Sequence, residues 1–178
     1  KPRFNYGFVL AILNSNVSYY HISKISVLFR GAYYSYEARF IKQLTIPDVS
    51  EEIQSLFTIV VEYVIQCNKI SSSDLSSKLD NFEKVIDAMV YELYFPKSVK
   101  EQNAEVIELV KKQMPDLRGI KDENNKIKTI ENVYKKLNES NNEIRNRIIK
   151  QNIAVEEVKI INQNLSKNVY TTDTPKKF

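Results

Sequence analysis

The chain has 178 residues, of which 43% are hydrophobic and 27% are charged, and its formal net charge is +4. This composition is ordinary for a water-soluble protein of one or two compact units. No apolar run approaches the roughly 20 residues of a membrane span. The three glycines are far apart, which excludes a glycine-rich nucleotide-binding loop. The single cysteine, Cys67, excludes a disulfide within the chain and predicts a reducing, cytoplasmic location.

Charge is unevenly distributed along the chain. Residues 1–48 carry six Lys or Arg and two acidic residues, whereas residues 49–96 carry three Lys and eight acidic residues. The remainder carries seventeen basic and twelve acidic residues. A basic first third is typical of a segment that meets an anionic partner. Ordinary solvated surface charge explains the same distribution, so both interpretations stay open.

The first third predicts a helix followed by a β-hairpin. Residues 5–20 are apolar on nearly every side, which predicts a buried helix of about three turns. Over residues 24–46, apolar and polar residues alternate with the period of a strand, on both sides of Gly31. We therefore expect two short antiparallel strands joined near Gly31 and closed by residues 44–47.

Three helices are predicted next, and their boundaries come from local signals. Ser50 is placed to cap the first helix, the serine run 71–73 to separate it from the second, and Pro96 to begin the third. Met114 and Pro115 end the third helix, and Cys67 should face the core. The predicted buried faces are, in order, Ile53, Leu56, Phe57, Val60, Val64 and Ile65; Leu75, Leu79, Phe82, Val85, Ile86, Met89, Val90 and Leu93; and Val99, Val106, Ile107 and Val110.

After a polar loop at residues 116–126, residues 129–167 predict one long helix with a coiled-coil-like seam. Ser140 and Glu143 resemble a capping box, so a break near Asn141 is the alternative. We expect the seam to pack on the chain's own helices, although docking on another subunit is also consistent with it. The seam positions follow a seven-residue repeat, with one polar exception: Ile130, Leu137, Ile144, Gln151, Val158 and Leu165.

Together these elements predict an α+β fold that is mostly α. A small antiparallel β-hairpin is followed by a helical bundle with a long C-terminal coiled-coil-like helix. The expected regions are residues 1–48 with the first helix and the hairpin, residues 49–115 with the bundle, and residues 116–178 with the loop, the long helix and a frayed tail.

The sequence carries no recognisable catalytic motif. Asp87, Tyr91, Glu92 and Tyr94 fall on one predicted helix, but no His or Cys joins them. We interpret them as structural hydrogen-bonding or helix-capping groups. His21 is the sole histidine and has no paired ligand in the sequence, so a metal site is not expected.

The segment from Arg30 to Lys42 is the best candidate for contact with DNA. An arginine bonds guanine bidentately, which is worth about 1–3 kcal/mol of discrimination, while Arg39 and Lys42 could instead contact phosphates. The tyrosines could stack on bases or pack a strand onto the helices, and both interpretations stay open. The candidate DNA-binding residues are Arg30, Tyr33, Tyr34, Tyr36, Arg39 and Lys42.

Four short motifs, in the same order, resemble those of the TaqI-like C-terminal specificity domains. The matching region spans residues 5–95, about half of the chain. The motifs are the apolar helix at residues 6–15 (family pattern LLAILNS), the turn at residues 29–34 (FRGGYY), the exit at residues 44–47 (LPIP) and the helix at residues 86–94 (IDxxVYxLY).

These domains end adenine-specific DNA methyltransferases of restriction–modification systems, including forms fused to an endonuclease. The resemblance implies that the chain is the C-terminal target-recognition (specificity) fragment of a type II-like N6-adenine DNA methyltransferase, so we expect Lys1 to continue from a longer chain. The implied partners are double-stranded DNA and the catalytic core of the same parent chain. The resemblance implies S-adenosylmethionine as the cofactor of the parent enzyme. We expect no cofactor in this fragment, because it lacks the Asn-Pro-Pro-aromatic loop of amino-methyltransferases.

Two alternatives belong to other classes of protein. A helical docking module would bind a protein partner along residues 129–167 and would not touch DNA. A nuclease fragment would use Asp116 together with Glu157 and Lys159 as a metal site. Glu157 and Lys159 fall within a predicted helix, however, so we interpret that spacing as coincidence.

Overall fold

The computed structural model of the chain describes residues 3–28, 33–69 and 73–151, with no side-chain description for 73–77. These ranges are mostly helical, and none of their helices has the length and apolar content needed to cross a bilayer. A 3-10 turn covers Leu117–Gly119, and a further helix, α9, runs from residue 143 to residue 151. The other helices are α1 (Tyr6–Leu13), α2 (Asn16–Ile25), α3 (Ala38–Ile41), α4 (Glu51–Lys69), α5 (Ser73–Tyr94), α6 (Pro96–Glu101), α7 (Ile107–Gln113) and α8 (Glu123–Asn138).

Several predictions fall outside the described residues. They are the turn residues Arg30 and Gly31, the break at residues 70–72, the last part of the long helix and the tail over residues 152–178, and with them Glu157 and Lys159 of the nuclease alternative.

The core lies where α4 packs along α5, with α1 against α4. Phe57 and Tyr63 of α4 and Phe82 of α5 are fully buried, and the rings of Tyr63 and Phe82 lie 5.0 Å apart between centroids. Burial of one such side chain stabilises the fold by about 1.5–3 kcal/mol. The centres of the predicted faces of α4 and α5 are thus confirmed, and Cys67 is buried as predicted. Burial raises the pKa of the Cys67 thiol.

Gly7 allows α1 to approach α4 closely. A Cβ atom at Gly7 would lie 2.5 Å from Oγ1 and 2.9 Å from Cα of Thr58, so no larger residue fits without a backbone shift. Beside this contact, the Asn5 side chain accepts a hydrogen bond from the Gly7 N–H at 2.9 Å and caps α1. The Asn5 N–H in turn donates to Oε1 of Gln54 at 2.7 Å, which ties the start of α1 to α4.

The prediction of one helix over residues 5–20 is wrong, because the chain breaks between α1 and α2. Ser15 caps α2 by accepting a hydrogen bond from the Ser18 N–H at 3.4 Å. Asp87 of α5 accepts a second from the Asn16 N–H at 2.7 Å. A serine side chain that hydrogen-bonds the backbone competes with continuation of the first helix. A carboxylate at the N-terminus of the second helix stabilises that helix through a favourable interaction with its dipole.

The predicted antiparallel β-hairpin is also wrong, and the described part of the chain is all-α rather than α+β. Leu28 and Tyr34 form an isolated antiparallel bridge, beside which the Ser35 N–H donates to the Val27 carbonyl at 3.2 Å. Helix α2 continues to Ile25, and α3 occupies residues 38–41. A two-stranded hairpin is marginal in water without further strands, and the described residues supply none.

The predicted third helix is two helices. Helix α6 begins at Pro96 as predicted, but it ends at Glu101, and Asn103 takes a positive φ of 49°. Asparagine tolerates this left-handed conformation better than most residues, so it suits a helix end. Helix α7 then begins at Ile107 and ends before Met114, as predicted.

The predicted long helix also divides, near Asn141, as the alternative anticipated. The cap of α9 is Asn142, whose Oδ1 accepts from the Arg145 N–H at 3.2 Å, rather than Ser140. The seam prediction is confirmed in the described residues, which supports packing within the chain. Its buried members are Ile130, Leu137, Ile144 and Gln151.

Glu92 of α5 caps the N-terminus of α7. Its Oε2 accepts hydrogen bonds from the N–H groups of Val106, at 2.5 Å, and Ile107, at 2.9 Å. Desolvation raises the pKa of the Glu92 carboxyl above its ordinary value, although these two hydrogen bonds act in the opposite direction. Near it, the Arg147 guanidinium of α9 donates to the Glu105 carbonyl at 2.6 Å. Helices α5, α7 and α9 therefore meet around one carboxylate.

We expect Glu92→Ala to lower the free energy of unfolding by about 2–6 kcal/mol, because two partly buried N–H groups lose their acceptor at about 1–3 kcal/mol each. Glu92→Gln retains an acceptor oxygen and should cost less. Urea denaturation of both variants and the wild type measures the difference. Equal losses for alanine and glutamine would contradict the capping role.

The same residue gives a pH dependence with a definite sign. Because the pKa of Glu92 is raised in the folded state, the native protein holds this proton over a window just above the ordinary glutamate value of about 4.3. Protonation of Glu92 therefore adds to the stability of the native state below this window, and that added stability is lost as the pH rises through it, while the cap hydrogen bonds remain. Unfolding measured between about pH 4 and pH 7 should show Glu92→Gln gaining on the wild type. A difference between the two proteins that does not change with pH would contradict this.

Candidate nucleic-acid interface

The candidate interface, called here the α2–α3 face, is formed by the outer side of α2, the bridge segments and α3. Helix α2 contacts α5, where Asp87 caps it, and α3 contacts α2. Ile22 of α2 is buried. After α3, the Tyr94 hydroxyl of α5 donates to the Thr45 carbonyl at 2.5 Å. Burial raises the pKa of Tyr94 to about 12. Both ends of the face are thus fixed to α5.

Tyrosine rings dominate this face. Tyr19 of α2 and Tyr34 meet edge to face, with ring centroids 5.7 Å apart and an interplanar angle of 72°. Tyr36 lies close enough to Tyr19 to interact with it electrostatically, and burial together with this neighbour raises the pKa of the Tyr36 hydroxyl. Tyr33 is 76% exposed and Leu28 is 62% exposed. A cluster of exposed rings and apolar side chains is typical of a binding surface.

The cations of the face differ in their surroundings. Arg39 pairs with Glu37, with 3.0 Å between Nε and Oε2, and lies over the Phe40 ring. Lys24 lies over the Tyr20 ring, 5.0 Å from its centroid, and Lys42 is exposed at the end of α3. Within the described residues, no carboxylate is at ion-pair distance from either lysine. The lysines are therefore available to an anionic partner, and Arg39 is available after exchange with Glu37.

The structure describes five of the six candidate DNA-binding residues, and Arg30 lies outside the described residues. Tyr34 and Tyr36 both lie near Tyr19, and Arg39 belongs to α3, which contacts α2. Tyr34 is half-buried in the ring pair, which agrees with the packing interpretation, whereas Tyr33 and Tyr36 are exposed. Sequence reasoning missed Tyr19 and Lys24, which α2 contributes. The spacing of Tyr20 and Lys24 was a usable signal, because residues four apart share one side of a helix.

The residues interpreted as structural have that role. Asp87 caps α2, Glu92 caps α7 and Tyr94 bonds the Thr45 carbonyl. Among the residues with described side chains, no three or more His, Cys, Asp or Glu groups converge on a possible metal site.

Comparison with protein-family models, with curated proteins and with solved structures finds no match for this chain. The roles assigned to the residues of the face therefore depend on sequence pattern and geometry.

The ring pair gives a stability prediction. Tyr34→Ala should lower the free energy of unfolding by about 1–2 kcal/mol, because it loses both buried area and an edge-to-face contact. Tyr33→Ala removes the same side chain from a solvent-exposed position and should change stability by less than about 0.5 kcal/mol. Chemical denaturation of both variants measures this. A larger loss for Tyr33→Ala than for Tyr34→Ala would contradict the described arrangement.

Proposed function

We propose that the chain is the target-recognition part of a restriction–modification N6-adenine DNA methyltransferase, and that its α2–α3 face contacts double-stranded DNA. The observation that supports this proposal is the grouping of Tyr34 and Tyr36 about Tyr19 of α2, which contacts the helix that carries Arg39, together with the exposure of Tyr33, Arg39 and Lys42. The motif at residues 29–34, which includes Tyr33 and Tyr34, is one of the four that resemble the TaqI-like specificity domains.

Lysine ammonium groups without carboxylate partners suit the phosphate backbone. Lys24 and Lys42 meet this condition, and each phosphate contact releases counterions from the DNA. Arg39 must first leave Glu37, but an exposed ion pair is worth at most about 1 kcal/mol. Exchange of Glu37 for a phosphate or a guanine edge is therefore inexpensive.

In this proposal the chain orients the duplex and does no chemistry itself. The catalytic core of the parent chain extrudes the adenine and transfers the methyl group from S-adenosylmethionine. Phosphate contacts fix the register of the duplex, and the exposed rings and Arg39 meet the bases.

The docking-module alternative has less support. Its proposed surface was the seam of the long helix, and Ile130, Leu137 and Ile144 of that seam are buried in the chain's own core. Helix α8 contacts α5, so the described part of the seam is packed within the chain rather than offered to a partner.

The proposal predicts that Arg39→Ala combined with Lys42→Ala weakens the binding of a duplex. Loss of the Lys42 phosphate contact should lower the slope of log affinity against log salt by about 0.9, and a phosphate contact by Arg39 would lower it by about 0.9 more. Fluorescence anisotropy with a labelled duplex, over a range of salt concentrations, measures both quantities. Lys135→Ala combined with Lys136→Ala is the matched control, because it removes the same charge from exposed positions on α8.

A single change of opposite sign sharpens this test. Glu37→Gln removes the carboxylate that holds Arg39 and should therefore raise affinity for the duplex. Unchanged binding by the Arg39/Lys42 variant, or an equal loss in the α8 control, would exclude the α2–α3 face as the DNA-contacting surface.

A further inference from the structure

Helix α1 has more apolar surface than the fold covers. Its residues, Tyr6–Leu13, include no charged side chain and are apolar on nearly every side. A helix of that kind is normally buried all round. Phe8 and Ile12 are buried against the core, but Tyr6 is 83% exposed and Leu10 is 44% exposed on the opposite side of the helix. The outer side of α1 is therefore apolar and uncovered in the part of the chain that the structure describes.

An open groove of about 520 Å³, called here the α1 groove, runs beside this side of α1 and is bounded by α4 and α5. Leu10 belongs both to the exposed side of α1 and to the groove, so the two form one continuous surface. Contiguous apolar surface with a polar edge is typical of a protein interaction site. The apolar residues that line the groove are Leu10, Ala11, Val61, Val64, Ile65 and Ile86.

The length of the groove indicates what fits in it. Its lining extends over residues 61–68 of α4 and residues 80–87 of α5. At a rise of about 1.5 Å per residue, each stretch is about 10 Å long, which equals about two helical turns. The groove therefore suits the apolar side chains on one face of a short amphipathic helix, a recurrent mode of recognition between proteins.

The α5 side of the groove is acidic. Asp80, Glu83 and Asp87 line it together with one ammonium group, that of Lys84. Lys84 pairs with Asp80, and Asp87 is occupied by the cap of α2. Glu83 is exposed, and no cationic group of the described side chains is at ion-pair distance from it. The edge of the groove thus has an excess of negative charge, with Glu83 available to a new cation.

The surroundings of Glu83 favour a cationic partner over other occupants. Partial desolvation, and then the charge of Asp80, raise the pKa of the Glu83 carboxyl. An ammonium or guanidinium group beside Glu83 would offset both effects, because an opposite charge favours the ionised carboxylate. A second copy docked through the same surface would bring one acidic edge against another, and a DNA backbone would bring phosphates, so like charges disfavour both.

We propose that the α1 groove binds an amphipathic helix of a partner protein. Apolar side chains of that helix lie on Leu10, Val64 and Ile65, and a lysine or arginine of it faces Glu83. This inference does not rest on the proposed function, because no residue named for DNA contact lines the groove.

The probe is a synthetic peptide of about 14 residues, or about four helical turns, with leucines along one face and lysines elsewhere. Calorimetry measures its binding to the full chain, and NMR signals of the groove residues locate it. One control peptide has glutamates in place of the lysines, and another has the same composition with the leucines spread around the helix. We expect only the first peptide to bind, with shifts at Leu10, Val64 and Ile65, and its affinity to fall as salt is added.

Variants of the chain test both kinds of contact. Leu10→Ala should weaken peptide binding about tenfold, because about half of a leucine side chain is no longer buried. Ile149→Ala is its matched control, since Ile149 is 49% exposed on α9. Glu83→Gln should weaken binding about threefold and reduce its salt dependence, as expected for one exposed ion pair. Glu139→Gln, at an exposed position after α8, is the control for that change.

The proposal is overturned by failure of the leucine–lysine peptide to bind, by equal binding of either control peptide, or by equal losses in the variants and their controls. A dimer that Leu10→Ala abolishes also overturns it, because the occupant would then be a second copy. Duplex binding is measured on the same variants and should not change, whereas the Arg39/Lys42 variant should bind the peptide normally. Failure of the groove is thereby distinguished from failure of the DNA interface.

Discussion

Helix α5 holds the rest of the structure in place through polar groups on its sides and an apolar face against α4. Asp87 caps α2, Glu92 caps α7, and the Tyr94 hydroxyl holds the chain after α3. The apolar side chains of α5, such as Phe82 and Met89, are fully buried against the core. Packing therefore fixes α5, and α5 in turn fixes where three other segments begin or end.

This arrangement explains which parts of the fold the sequence predicts. The helices α4 and α5 are long and have apolar residues at helical spacing, and signals such as Ser50 and Pro96 act on the residues next to them. The break between α1 and α2 instead depends partly on Asp87, which lies 71 residues from Asn16. A cap that comes from so far along the chain leaves no local signal.

The prediction of a β-hairpin was wrong for a related reason. Apolar residues at positions such as Ile25 fit a strand period over a few positions, but α2 extends through that residue because its inner side packs on α5. Separation of α6 from α7 combines a local signal, Asn103 at positive φ, with the distant Glu92 cap. The spacing of apolar residues alone therefore could not reveal where α6 ends or where α7 begins.

The candidate surface was partly visible in the sequence, because the density of tyrosine and basic residues over residues 30–42 is a local property. The pairing of Tyr19 with Tyr34 was not visible, because it requires α2 to lie beside the bridge segment. Arg39 and Glu37 are only two residues apart in the sequence. Their ion pair nevertheless depends on the geometry of α3, a segment that was predicted as a strand. The α1 groove requires α1, α4 and α5 to meet, which no sequence period encodes.

The attachment of α2 and Thr45 to the same helix has a consequence for how such a protein could diversify. Asn16 and Thr45 are both anchored to α5, at Asp87 and Tyr94, so the chain between α2 and Thr45 leaves and rejoins one rigid support. Its length and composition could change between lineages with little disturbance to the Gly7–Thr58 contact or to the packing of α4 on α5. The exposed side chains of this stretch, such as Tyr33 and Lys42, can therefore be replaced while the packing of the helices beneath them is kept.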